Sequence, residues 1–178
     1  MPIFIQRIIR AARLDSRLYE EVEADRHATL QALGVVVLSG LAAGIGTIGH
    51  FGDLSRVPVG IMGALIGWLV WAAMTYWIGA HLLPEPQTRA DFGELLRTTG
   101  FAMAPGLLRV AGVVPVLADP LFLISSVWLL VAMVIAVRQA LDYQSTWRAV
   151  AVCGIGWFIQ LTILLLTIRA VEGWNTGG

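Results

Sequence analysis

From Leu30 to Ile168 the chain is mostly a series of uncharged apolar runs, and nearly all of its arginines fall in the gaps between them. That arrangement fixes the solvent. In hydrocarbon no water is at hand to satisfy backbone N–H and C=O groups, so the runs must be helices or strands of a closed barrel. Their length of about 20 residues is that of a membrane-crossing helix. The sequence therefore predicts an all-α polytopic membrane protein.

Composition agrees. Hydrophobic residues make up 57% of the 178 and charged residues 13%, against about 25% charged in a soluble domain. Formal net charge is zero, so there is no basic field of the kind that binds nucleic acid. The single cysteine, Cys153, lies in an apolar run and is expected to pack as a small hydrophobe.

Five spans can be placed: Leu30–Ile48, Val57–Leu83, Gly100–Leu117, Pro120–Val137 and Ala149–Ile168. The fourth begins with proline at a first helical turn, with Asp119 as its expected cap. The third is irregular, because it contains Pro105, Gly106, Arg109, Gly112 and Pro115. Straight, kinked and re-entrant forms all fit its hydropathy. Arginine counting argues that it crosses. With the N-terminus cytoplasmic, Arg7, Arg10, Arg13, Arg17, Arg26, Arg89, Arg97, Arg138 and Arg148 lie inside and only Arg56 and Arg169 outside. Without the third crossing, Arg138 and Arg148 would move outside.

Three regions follow: residues 1–29, a cytoplasmic amphipathic N-terminal region; 30–170, the five-transmembrane-helix bundle; and 171–178, a short polar tail. The long polar stretch before the first run does not read as a cleaved leader. At helical spacing Arg7, Arg10 and Arg13 share one side of residues 2–12, and Phe4, Ile5, Ile8 and Ile9 the other. The segment is predicted to lie flat on the membrane, or to pack on the end of the bundle. After a cap at Asp15-Ser16 comes an acidic stretch, Tyr19–His27, expected to be a solvated helical face. Glu23 and His27 share a face there, yet no second pair of metal ligands accompanies them. A second surface helix is predicted before the third span, with a capping box at Thr88-Arg89-Ala90-Asp91 and Phe92, Leu95 and Leu96 at helical spacing.

Gly40 and Gly44 in the first span, and Gly63 and Gly67 in the second, are spaced for close helix packing. The partner is another helix of the chain or a second copy in a homo-oligomer. Trp147 and Trp174 sit where an interfacial belt is expected, and Trp128 where a core residue is.

Arg109 stands out as a charge inside a span, costing about 2.5–3.5 kcal/mol on insertion scales. No acidic residue lies in any run to neutralise it. Its expected partners are the carbonyl of Phe101, freed because Pro105 has no N–H, together with Gln160 or a lipid phosphate reached by snorkelling toward the cytoplasmic side. Arg109, Pro105 and Gln160 are thus the candidate intramembrane polar site. Arg138 and Asp142, one turn apart where the fourth span emerges, are the candidate cytoplasmic contact. Catalysis finds no footing: Ser125-Ser126 lacks a Gly-x-Ser setting, and His27, His50 and His81 fall at or outside span ends. No cofactor or metal site is expected.

The residues Gly100–Pro105, Leu107-Leu108-Arg109, Val113-Val114-Pro115, Trp128 and Val134–Asp142, with Tyr19–Val22 through Gln31-Ala32 before them, resemble the Yip (Ypt-interacting protein) domain family, its bacterial branch most of all. The likeness runs from about Leu14 to Thr167. It implies a five-span protein with a cytoplasmic N-terminus and an outside C-terminus, here in a bacterial inner membrane. Eukaryotic relatives are associated with Rab-type GTPases and vesicle traffic, and the Asp-Leu-Tyr-Gly-Pro motif typical of them is missing from this chain. The expected role is a non-catalytic membrane scaffold, organising lipids or a protein partner through its cytoplasmic face. The second reading is a small transporter, channel or lipid-translocating protein built on Arg109.

Overall fold

The structure, a computed structural model, describes residues 2–48 and 56–176. Among the described residues seven α-helices follow one another: α1 (Ile3–Ala12), α2 (Ser16–Ala24), α3 (Ala28–Gly46), α4 (Arg56–Trp77), α5 (Phe92–Phe101), α6 (Pro115–Ala140) and α7 (Thr146–Thr176). A π-helical turn, Ile78–Leu82, ends α4, and a 3₁₀ segment, Ala104–Val113, joins α5 to α6. His50 and the side chains of Arg56 and Trp174 lie outside what is described.

Among the described residues four helices are long and apolar enough to cross a membrane: α3, α4 with its π turn, α6, and α7 through Ile163. They match the first, second, fourth and fifth predicted spans. Large apolar side chains such as Val59, Ile66, Val116, Leu123, Phe158 and Leu166 stay exposed on their outer faces, as lipid requires. One boundary moves. The helix of the fourth span starts at Pro115, not Pro120, so Asp119 lies inside α6 and does not cap it. Pro115 takes the first-turn position that proline tolerates. Pro120 sits within the helix, where it withholds a donor from the Val116 carbonyl.

The third predicted span departs most from α geometry. Pro105 has no N–H, and the chain takes up the narrower 3₁₀ form, which rises about 2.0 Å per residue. Small residues let it press against α3. A Cβ on Gly100 would stand 2.8 Å from the Ala32 Cβ, one on Gly106 would strike the Ser39 hydroxyl, one on Gly46 would strike the Arg109 carbonyl, and one on Gly112 would stand 3.2 Å from the Gly46 carbonyl. The segment therefore runs beside α3 from Ala32 to Gly46, in the same direction.

Of the two predicted surface helices, α1 takes the second of its expected places, on the end of the bundle, and α5 is less superficial than expected. In α1, Arg7 and Ala11 are buried and Phe4 reaches Gly34 of α3, so the helix is fastened to the end of the bundle. In α5, Leu95 and Arg97–Phe101 are buried. Its capping box is three residues later than predicted: Asp91 is the cap and the Glu94 carboxylate accepts from the Asp91 N–H at 2.7 Å. Thr88 instead accepts from the Glu85 N–H.

The core has two parts. Leu18, Tyr19 and Val22 of α2 pack with Val35 and Val36 of α3, Phe101 and Ala136. Trp71, Leu95, Val137, Leu141, Tyr143 and Val152 form the other cluster.

Candidate functional site

Arg109 is held by α6. Its Nε donates to the Ser125 hydroxyl at 2.9 Å and its Nη2 to the Ser126 hydroxyl at 3.0 Å. Both hydroxyls in turn donate to the Phe122 carbonyl, at 3.0 and 2.7 Å. The Phe122 ring lies beneath the guanidinium, 4.6 Å from ring centroid to Cζ, a cation–π arrangement. The charge thus rests on two hydroxyls tied to one carbonyl and on a ring face. Neither the Phe101 carbonyl nor Gln160 bonds it. Among the described residues no carboxylate oxygen lies within 4 Å of it.

Gln160 nonetheless shares a space with Arg109. A groove of about 320 Å³ is lined by Gly63, Gly67, Trp71, Arg109, Trp157 and Gln160, with Met103, Met133 and neighbouring leucines as its walls. Pro105 faces away from it, into a separate hollow between α1 and the 3₁₀ segment that Trp128 also lines. The structure therefore brings together two of the three predicted residues. Trp128 is only half-buried, not fully in the core.

The four predicted packing glycines divide. A Cβ on Gly40 would stand 2.9 Å from the Ile61 Cα, and one on Gly44 2.7 Å from the Val57 Cα, so this pair forms the α3–α4 crossing with Gly60 opposite. Gly63 and Gly67 meet nothing within 4 Å. Their lack of side chains opens the groove, and no other described helix of this chain is seated there.

A second polar assembly closes one end of the bundle. The Arg7 guanidinium reaches Glu21 of α2 and Asp25 just past its end, both at 2.9 Å, and the Gln31 amide oxygen at 2.9 Å. Arg10 bridges Asp15 and Glu21. The acidic stretch is thus bound to the arginines of α1 and is not simply solvated. Hydrogen bonds from Arg10 and Arg7 hold the Glu21 carboxyl below its usual range, Arg10 does the same for Asp15, and Arg7 for Asp25. Buried Arg97 donates to the carbonyls of Val22 and Glu23 at the end of α2, where orphan carbonyls need donors. Among the described residues no three His, Cys, Asp or Glu side chains gather to hold an ion, at Glu23 or elsewhere. Burial, reinforced by Asp142 and Glu94, pushes the Glu23 carboxyl up to about 7.

Arg138 and Asp142 do not pair. Arg138 Nε and Nη2 donate to the carbonyls of Tyr143 and Gln144, both at 3.2 Å. Asp142 adopts φ 53°, and the Tyr143 N–H bonds the Arg138 carbonyl while the Asp142 N–H bonds that of Gln139. This is the Schellman end of α6, with aspartate where glycine is usual. The same pattern ends α1 at Leu14, φ 61°.

The partners that sequence reasoning missed are Ser125, Ser126, Gly60 and Arg97. A signal for the serines existed: an adjacent hydroxyl pair inside an apolar run calls for a polar neighbour. Nothing local marks Arg97, whose acceptors are 74 and 75 residues away.

Comparison with known proteins adds one finding. The sequence model of the Yip1 domain family matches residues 16–168. Searches of curated proteins and of solved structures gave no match.

Proposed function

The chain belongs to the Yip1 domain family, and from that premise we propose that it is a non-catalytic membrane scaffold whose cytoplasmic face engages a protein partner or anionic lipid. The observation that carries this reading is the locked polar layer at one end of the bundle. Arg7, Arg10 and Arg97 are consumed in holding α1, α2 and α5 together. Arg13, Arg17, Arg26 and Arg89 remain exposed around them. Fixed positions for exposed cations reduce the ordering cost of binding an acidic surface.

In this reading the chain crosses the membrane five times, with the N-terminus cytoplasmic and the C-terminus outside, in a bacterial inner membrane. Support for the fifth crossing comes from the end of α5 together with the 3₁₀ segment: Gly100 lies against Ala32, Gly106 against Ser39 and Gly112 against Gly46, a path along fourteen residues of α3, about 21 Å. Single cysteines at Ser16, Thr88 and Ser145, placed in a Cys153→Ala background, test it with a membrane-impermeant maleimide on intact and opened cells. All three should label only after opening.

The scaffold role is tested by photocrosslinkers at Arg17 and Arg89, with Leu123 on the lipid-facing side as reference. Discrete adducts confined to Arg17 and Arg89 are expected. Identical adduct patterns at all three positions would sink the reading.

A further inference from the structure

The groove beside Arg109 is a space that the fold keeps open. A Cβ at Gly63 or Gly67 would meet nothing within 4 Å, although the same helix is crowded against α3 at Gly60. Larger side chains would fit there sterically, yet the chain leaves about 320 Å³ unfilled. At one end stands a guanidinium with no carboxylate within 4 Å among the described residues. Of its five N–H groups, the serine hydroxyls take one on Nε and one on Nη2; no described residue accepts from Nη1. A cation in such surroundings favours an anion, and guanidinium matches a carboxylate with two parallel bonds.

Depth and shape narrow the ligand. Gly112 lies against Gly46 and Ala118 near the end of α3, and Ser125 is seven residues farther along α6, about 10 Å. The guanidinium is therefore about 10 Å inside that end, below the level of phosphates in a flat leaflet, whose apolar half is about 15 Å deep. A carboxylic acid can reach such a depth in neutral form, avoiding the cost of moving a bare charge through hydrocarbon. From Gly63 to Trp71 the groove follows two turns of α4, about 12 Å, between apolar walls.

We propose that this groove binds a long-chain fatty acid, its carboxylate on Arg109 and its chain lying over Gly63 and Gly67 toward Trp71. This goes beyond the scaffold reading and needs no cytoplasmic partner.

Trp68, Trp71 and Trp157 line the groove and report occupancy. The full chain in detergent micelles is titrated with stearate dibrominated in mid-chain, which quenches tryptophan on contact. Saturable quenching is expected, reversed by unlabelled stearate and absent with the dibrominated methyl ester. Arg109→Gln should weaken binding at least about tenfold. Gly67→Leu, which fills the groove without touching the Arg109–serine bonds, should abolish the saturable component. Equal quenching by acid and methyl ester in the unaltered protein overturns the proposal, and so does unchanged binding by both variants. Saturable quenching by brominated phosphatidylglycerol, sensitive to both variants while stearate fails to compete, would overturn it in favour of a phospholipid.

Discussion

Arg7 Nε lies 2.9 Å from Glu21 Oε1, joining α1 to α2 across fourteen residues, with the Arg7 side chain only 6% exposed. Replacing it with methionine keeps the apolar stem, removes the donor that Glu21, Asp25 and Gln31 share, and leaves Glu21 to Arg10 alone. Breaking a fully buried pair costs about 3–5 kcal/mol; with the carboxylates partly exposed, about 1–3 kcal/mol is expected. Thermal unfolding in detergent measures it, and limited proteolysis should then release α1 first.

Acid and base act oppositely on this layer. Glu21, Asp15 and Asp25 have depressed folded-state pKa values, so their contribution is present above the ordinary carboxylate range and lost as pH falls through the depressed values. Glu23 is raised to about 7. Between about 4.5 and 7 its unfolded form gives up a proton that the folded form keeps, so stability declines as pH rises across that window. Glu23→Gln should remove the decline, with a gain on the order of 1 kcal/mol at pH 8 after allowing for solvent screening, and no gain at pH 4. Unfolding midpoints at the two pH values check this.

Glycine substitutions should separate by position. Gly44→Ala places a Cβ 2.7 Å from the Val57 Cα, a contact only backbone movement relieves, and a loss of about 1–3 kcal/mol is expected from overpacking. Gly67→Ala meets open space and should be neutral or slightly stabilising, since glycine is the poorer helix former by about 1 kcal/mol. Parallel thermal unfolding of the two variants makes the comparison.

Removing both hydroxyls, Ser125→Ala with Ser126→Ala, would leave Arg109 with the Phe122 ring alone. Hydrogen bonds to charged groups contribute about 1.5–3 kcal/mol each. Because both serines lean on one carbonyl, the double variant should lose about 2–4 kcal/mol, less than twice the single losses. A double-mutant cycle reads the coupling.

At Asp142 the left-handed backbone, φ 53°, favours glycine. Asp142→Gly should gain about 0.5–1 kcal/mol from the backbone. It also removes a charge that raises Glu23, so part of the gain should vanish below pH 4. Unfolding at both pH values separates the two contributions.

Much of the helical framework could be read from hydropathy, because each of α3, α4, α6 and α7 carries its own apolar run. The site was legible in part. A lone arginine in an uncharged run announces itself, so Arg109 was found, but its partners lie on a helix whose starting point was misplaced by five residues. Gly63 and Gly67 have the same spacing as Gly40 and Gly44, and spacing alone cannot tell a glycine that admits a neighbour from one that leaves room. The locked N-terminal layer was hidden for a related reason: an amphipathic basic helix and an acidic helix each look solvated until tertiary structure sets them face to face.

Parity decides from which side of a membrane a C-terminal reporter speaks. The apolar helices of sufficient length among the described residues are four, an even number that by itself would leave both ends of the chain in one compartment. The stretched pitch of Ala104–Val113 lets ten residues travel as far as about thirteen in an α-helix, a path too short in sequence for any length threshold to notice. With the five crossings proposed above, a reporter that is active only outside the cytoplasm would be active when fused after Thr176; with four it would be silent.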